Sequence, residues 1–511
     1  TILKHFKLRQ NIGFNYATGR RDQYYPRSVY EGFGVNGWGL KSDDIWNSII
    51  SETMLSYGQS YKKHNINAFV GSTFERTNGQ WKRVEAQNFT SDLLQNENLE
   101  AGQTKMPIIS DRYQSTLISF LGRVNYDYDN RYLLTFSVRR DGSSKFGKNN
   151  KWATFPSVAF AWKLFNESFI QGKIKYLSDL KLRLSYGQTG NQGIGSYASL
   201  SKLKAYKYPF GGTLQTGYAD DYFSGPANPN LKWETTSAFN AGLDLGFFSN
   251  RLVLHIDGYQ KRTKDLLQYL TTPLSSGFPK KLVNAGTVEN KGLEITLEAT
   301  PVRMKHFEWS TNFNISFNRN KIITLGADVD KQFAGNISTG DAPFVQMAGQ
   351  PIGAIYGYVE DGYYDNEAEV RNDPKFAGYS DAQVRKMIGE IKYKDLDGDP
   401  TALTSNDRTV IGNVNPKYSF GFTNNFRYKH WDLSIFINAV QGNDIINMNS
   451  RFNASPGDFK NISQEMYDGL WAEGRDNSNA TGPKVWRTFE RDIKFTRRFI
   501  EDGSFVRLKN I

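Results

Sequence analysis

Apolar side chains recur at every second position over many short runs of this chain, and that period decides what it can fold into. In residues 309–317, Trp309, Thr311, Phe313, Ile315 and Phe317 share one side, while Ser310, Asn312, Asn314 and Ser316 share the other. A strand sends successive side chains to opposite faces, so this pattern predicts a strand with one apolar and one wet face. Just upstream, Leu293, Ile295, Leu297 and Ala299 alternate with Glu294, Thr296 and Glu298, and residues 301–305 are short enough to close a hairpin. The same alternation runs through residues 118–126, 132–139, 180–186, 239–247, 252–257, 418–422 and 431–437. The chain holds about fourteen such segments of roughly ten residues, the length of a tilted membrane-crossing strand.

The connections sort into two classes that alternate along the chain. Residues 62–65, 127–130, 246–250 and 427–430 make tight links, whereas 188–232, 262–287, 321–416 and 441–499 are long. A soluble sandwich also shows alternation, but it has no reason for short links on one side and long ones on the other. Short turns on the inner side and long loops on the outer side are the rule for outer-membrane barrels. Tyr126, Tyr132, Trp162, Tyr186, Trp233, Trp309, Tyr428 and Trp431 sit near strand ends, where aromatic rings would form girdles at the headgroup level. The expected fold class is therefore all-β: a transmembrane antiparallel β-barrel with long extracellular loops and short periplasmic turns.

Composition agrees. No run of 18 apolar residues exists, which excludes a transmembrane helix and leaves barrel strands open. Aromatic residues make up 14%, as interfacial girdles require. Cys is absent, so disulfides and thiolate metal sites are excluded. The net charge is +11, but Lys and Arg are spread along the chain without the clustered stripe expected for nucleic acid, so no nucleic-acid partner is expected. The chain opens on Thr1-Ile2-Leu3-Lys4 and closes on residues 505–511 in strand-like sequence. The expectation is a single barrel-domain fragment over 1–511, cut at both ends, with 321–415 as a long extracellular insertion.

Several runs resemble the SusC/RagA-type TonB-dependent outer-membrane transporters of Bacteroidetes. They are Asn228-Pro229-Asn230-Leu231-Lys232-Trp233-Glu234-Thr235-Thr236, Thr263-Lys264-Asp265-Leu266-Leu267, Asn284-Ala285-Gly286 and Asn290-Lys291-Gly292-Leu293-Glu294. Further ones are the runs at 140–147 (RDGSSKFG), 186–191 (YGQTGN), 411–413 (IGN) and 501–510 (EDGSFVRLKN). The resemblance implies a twenty-two-stranded barrel with an internal plug under a SusD-like lipoprotein lid, driven by TonB. It implies import of an oligosaccharide or oligopeptide through an outer membrane of phospholipid and lipopolysaccharide. A passive porin, or another surface barrel without transport, is the alternative.

Candidate sites are few. Asp395, Asp397 and Asp399 at alternate positions, with Asp407 beyond, look like a calcium loop that gathers carboxylate oxygens. Pro400 replaces the glycine of the sharp turn, and Asp407 lies one residue too far to close a standard loop. SusC-like proteins often carry a related acidic stretch here; the alternatives are a calcium ion that stiffens the long loop without catalysis and a solvated acidic turn with no cofactor. Loop aromatics, chiefly Tyr222, Phe223, Tyr363 and Tyr364, are candidates for stacking on cargo. The five histidines, His5, His64, His255, His306 and His430, have no metal spacing. Neither a GxSxG element nor a P-loop is present, and no enzyme activity or catalytic residue is expected. Residues 380–392 carry Ala382, Val384, Met387, Ile388 and Ile391 at helical spacing, which predicts a short amphipathic helix packed on its own loop.

Overall fold

The computed structural model describes residues 4–326, 329–337, 342–450, 461–485 and 494–511. The chain divides into two compact units: residues 1–173, 181–240 and 263–285 form the first, and 174–180, 241–262 and 286–511 form the second. The strand expected from Thr1 begins at Phe6; residues 1–3 lie outside those described.

Strands β1 (Phe6–Tyr25), β2 (Trp38–Tyr61), β3 (His64–Phe89), β4 (Ile109–Tyr128), β5 (Tyr132–Ser143), β6 (Trp152–Trp162) and β7 (Leu177–Asn191) follow one another, all in the first unit except the first four residues of β7. Each pairs antiparallel with the next in chain order. Strands β8 (Glu234–Phe247) and β9 (Leu252–Lys264) run through the division between the units. In the second unit, β10 (Thr287–Arg303), β11 (Phe307–Thr324), β12 (Tyr418–Tyr428), β13 (Trp431–Gln441) and β14 (Phe505–Asn510) repeat the same up-and-down pairing.

The tight links form where expected. Lys62 (φ +50°) and Lys429 (φ +53°) take left-handed backbone in two-residue hairpins, and Asp129 and Asn130 do so between β4 and β5. Positive φ at such positions matches the right-handed twist of the paired strands.

The alternation also holds in space. On β5, Tyr132, Leu134, Phe136 and Val138 are exposed, while Leu133, Thr135 and Ser137 between them are half-buried. Val70 on β3, with Phe120 and Val124 on β4, continues this apolar stripe. A row of exposed bulky side chains facing water would forgo about 25 cal/mol for each Å² of apolar surface; facing lipid, it does not. At the tight-turn end, Tyr128, Tyr132 and Trp162 stack at 6.4 and 6.1 Å, and Trp309 stacks on Phe426 at 5.9 Å. Trp431 is 77% exposed beside Tyr428, as a headgroup-level ring requires.

Strand length departs from expectation. β2 has 24 residues and β3 has 26, far more than the roughly ten that alternate in sequence. At about 3.3 Å per residue, β3 extends about 80 Å, well beyond a hydrocarbon layer of about 30 Å. Beyond that layer neither face must be apolar, so the period fades while the hydrogen-bonded ladder continues.

The described residues of the long stretch at 321–415 are folded rather than open loop. Lys331–Ala334, Phe344–Met347, Ala354–Tyr358 and Arg408–Asn413 form a four-stranded antiparallel sheet. Glu360–Tyr363 pairs with Ile391–Tyr393, and helices cover Glu367–Asn372 and Asp381–Met387. The second helix starts with a capping box between Ser380 and Gln383 and buries Val384 against Tyr364 and Val370. It is shorter than the expected 380–392, because Ile391 has moved into a strand. Ile355 and Ile411 pack with Phe495 and Phe499, so the two longest connections share one core. Next to Phe499 in the chain, a half-buried cation joins the two connections: Arg498 grips Glu360 through two hydrogen bonds of 3.0 and 2.7 Å and donates to the Tyr363 hydroxyl at 2.9 Å.

Candidate functional site

The expected cargo-contacting aromatics separate into two groups. Tyr222 and Phe223 lie on the surface, 37% and 65% exposed, in edge-to-face contact at 5.1 Å. Phe223 faces the Lys204 ammonium at 5.9 Å. They follow an exposed hairpin, Leu203–Phe210 paired with Thr213–Asp220, which also shows Tyr206, Tyr208, Phe210 and Tyr218 to solvent. Tyr363 and Tyr364 are instead buried, at 9% and 2% exposure. Tyr363 packs with Ile391 and Trp471, and the Tyr364 hydroxyl donates to Asp373. Burial, reinforced by that carboxylate, pushes the Tyr364 phenol well above the ordinary tyrosine range. These two rings belong to the insertion's core and cannot stack on a solute. Adjacent tyrosines in a long connection read alike in sequence; only the folded insertion distinguishes them.

The acidic loop is knit together by its own carboxylates. Asp407 is fully buried and accepts from the Leu396, Asp397 and Thr404 amides at 2.9, 3.4 and 2.7 Å. Burial raises its pKa, but the three amide bonds outweigh that, and the carboxyl is held below the usual aspartate range. Asp395 accepts from the Gly398 amide at 2.8 Å, and Asp397 accepts from the Asp399 amide and the Thr404 hydroxyl, both at 2.9 Å. The sharp turn that Pro400 cannot make falls at Gly398, where φ is +84°. Asp395, Asp397 and Asp407 bring one oxygen each to within 4.8 Å of one another. Asp399 does not join them; it accepts from the amide and hydroxyl of Thr401. Such hard oxygen donors suit calcium.

Five of the sequence runs that carry the resemblance converge in the first unit. Leu231 and Trp233 fill a core with Phe146, Phe155 and Leu282. Trp233 is 5% exposed, so it lies in this core and outside the aromatic girdle where its sequence position had placed it. Its indole N–H donates to the Lys151 carbonyl at 3.0 Å. Asn228 donates to the Leu282 carbonyl at 3.0 Å, and Asn284 donates to the carbonyls of Lys232 and Asp265 at 2.7 and 3.0 Å. Glu234 accepts from the Leu267 amide and the Asn191 side chain at 3.1 and 3.2 Å. Polar side chains here tie backbone groups of separate segments together. The knot thereby anchors residues 192–232 and the hairpin Leu267–Thr271/Lys280–Asn284 to the strands.

Below it, on the face opposite the apolar stripe, a cavity of about 440 Å³ is lined by Arg123, Arg139, Asp141, Gln188, Gln192 and Trp233, among others. Arg139 binds Asp141 at 2.7 Å and the Ser119 hydroxyl at 3.0 Å. The sequence reading missed these residues. The signal was available in the wet positions of each alternating strand, but nothing local ranks one wet position above another.

The family described as "TonB dependent receptor-like, beta-barrel" matches residues 3–438. The chain is 34% identical over 511 residues to TonB-dependent receptor P3 of Formosa agariphila, covering 99% of this chain and 49% of that protein. It is 31% identical over 527 residues to TonB-dependent receptor SusC of Bacteroides thetaiotaomicron, covering 100% of this chain and 48% of that protein. The solved RagAB peptide transporter superposes with a TM-score of 0.80 at 25% identity, over 100% of this chain and 53% of that one. The chain thus spans about half the length of the curated relatives it matches. Alternating strands, tight turns, folded insertions and these likenesses along the whole chain place it among the SusC/RagA-type TonB-dependent receptors of the outer membrane, as part of their β-barrel.

Proposed function

We propose that the protein containing this chain imports an oligomeric nutrient, an oligosaccharide or oligopeptide, across the outer membrane. Energy would come through TonB, and a SusD-like lipoprotein would close the outer face. The carrying observation is similarity to TonB-dependent receptors along the full length of the chain, including SusC at 31% identity. The four-stranded sheet of the insertion supports the reading, since a lid needs a shaped surface to close on. A passive porin would need neither.

The test is growth on defined oligosaccharides and peptides as sole carbon source, in cells with the intact gene, without it, and without TonB. Growth on at least one oligomer should require both genes. Uptake that persists without TonB would favour the porin and sink the import reading.

We also propose that Asp395, Asp397 and Asp407 hold a calcium ion that stiffens the acidic loop without taking part in transport. The convergence of three carboxylates within 4.8 Å supports this. With calcium, cleavage of residues 395–407 by added protease should slow several-fold relative to chelator, and Asp397→Asn should remove the difference. Equal cleavage rates in calcium and chelator would refute it.

A further inference from the structure

We propose that the outward face of β3–β6, at the outer end of its apolar stripe, binds the phosphorylated glycolipid of the outer leaflet, lipopolysaccharide, with Arg76 and Arg140 on its phosphate. The site lies on the lipid side of the strands and is independent of what the barrel imports.

Strand register sets the level. Trp162 stacks on Tyr132 in the tight-turn girdle, and Trp152 opens the same strand at its other end. At about 3.3 Å per residue and a tilt of about 35–45°, β6 rises about 25 Å between them, the height of the apolar band in such barrels. The two tryptophans thus mark its opposite rims. Trp152 pairs with Gly142, Gly142 with Ile118 and Ile118 with Phe74, so one row crosses four strands at the outer rim. Paired residues share a face, and Ile118 shares its face with exposed Phe120, which stacks on Trp152 at 6.2 Å. The row therefore continues the apolar stripe. Gly142 seats the indole: a Cβ there would sit 2.7 Å from the Trp152 ring, so the ring lies over the sheet.

Charge at this rim has one sign. From Phe120 to Arg112 on β4, and at the positions paired with that face on β3 and β5, stand Arg140, Arg76 and Arg112 and no Asp or Glu. Arg140 lies over the Trp152 ring at 5.7 Å, and Arg76 over the Phe74 ring at 5.8 Å. All three arginines are exposed, and among the described residues none forms an ion pair within 4 Å. The tight-turn rim differs: Asp129 pairs with Lys63 at 2.9 Å and with Arg131 at 3.4 Å, and Glu167 pairs with Arg131 at 3.4 Å. On the opposite face of β5, Arg139 is matched by Asp141 at 2.7 Å. Unmatched positive charge is thus concentrated on the outer, lipid-facing rim.

That combination selects the occupant. A planar guanidinium donates two parallel N–H groups to a phosphate. Phe74, Phe120 and Trp152 lie between Arg76 and Arg140 and suit acyl chains, which a soluble glycan or anion lacks. A phospholipid of the inner leaflet meets the other rim, where the basic groups are already paired. Lipopolysaccharide brings phosphate and acyl chains together in the outer leaflet. Arg112 lies about 13 Å along β4 beyond Thr116, the partner of Arg76, at the level where further anionic groups on the core sugars would sit.

The test uses the full-length protein, delipidated in a nonionic detergent, and three probes: purified short-chain lipopolysaccharide, the same lipid with its phosphates removed, and phosphatidylglycerol. Native mass spectrometry reads the bound lipid. Intact lipopolysaccharide should bind, and removing its phosphates should weaken binding about tenfold or more. Arg76→Gln with Arg140→Gln should cost about as much, whereas Lys62→Gln with Lys163→Gln, at the tight-turn rim, should leave binding unchanged. Unchanged heat-modifiability on gels verifies that each variant is folded. The phosphate comparison uses the unmodified protein, so it decides the matter even where a variant does not fold. Binding indifferent to the phosphates, binding indifferent to the two arginines, or an equal loss from the tight-turn lysines would each overturn the site. Phosphatidylglycerol bound as tightly as lipopolysaccharide would do so too, by showing that any anionic lipid suffices.

Discussion

Trp233→Ala is expected to destabilise the first unit by about 3–5 kcal/mol, the range for deleting a large buried aromatic. The indole packs on Phe146 at 4.8 Å and edge-on against Phe155 at 5.6 Å. Removing it leaves a hole beside Leu231, which is fully buried, and takes one of two donors from the Lys151 carbonyl, which keeps the Ser143 amide. Because the knot anchors residues 192–232, the first visible effect should be rapid proteolysis there, followed by a lower temperature for loss of the folded band on gels. Trp233→Phe, which keeps an aromatic ring but no N–H, should fall between. Trp431→Ala is the matched control, since that ring is 77% exposed; a loss there as large as at Trp233 would refute the distinction between core and girdle.

Asp407→Ala should be the most damaging change in the acidic loop. Three amides would lose their acceptor in a site that water does not reach. Each orphaned donor costs about 1–3 kcal/mol, so local stability should drop by about 3 kcal/mol or more. Amide exchange at Leu396 and Thr404 reads this directly. The same carboxylate makes the loop sensitive to acid. Its pKa is depressed in the folded state, so its stabilising contribution is fully present above the unfolded aspartate value of about 3.9. That contribution is lost as pH falls through the lower folded value. Protection at Leu396 and Thr404, measured against an unstructured amide at the same pH, should thus hold at neutral pH and begin to fall only below about pH 4, toward the lower folded value. Asp407→Asn should exchange quickly at neutral pH, with this pH dependence removed. Protection in the unaltered loop, measured against an unstructured amide at the same pH, that does not fall with acid would show that Asp407 is not its keystone.

The two variants also show how far the residues themselves led. Alternation around Phe313, Leu293 and Leu134, with tight links at 62–65 and 427–430, identified the strands, their exposed apolar stripe and the short-turn side. These features depend on side-chain period and on backbone preference over a few residues, and both are local. The acidic positions 395, 397 and 407 were legible for the same reason, because a loop that folds on itself draws on near neighbours.

Other assignments required the folded chain. Trp233 and Trp431 occupy similar places near strand ends, yet one is core and the other surface. Tyr222 and Tyr364 both lie in aromatic stretches of long connections, yet only Tyr222 can meet a solute. The wet faces of β3 and β4 carry many polar residues, and the cavity lining of Glu75, Asp111 and Tyr113 emerges only when residues 192–203 pass along them. The sequence by itself determined the class of fold, the alternating faces and the sides of the turns, since these follow from periodicity and short-range backbone geometry. Tertiary structure alone decided which aromatics are buried and where cavities lie, because burial is set by segments up to a hundred or more residues apart, such as Glu360 and Arg498, coming into contact.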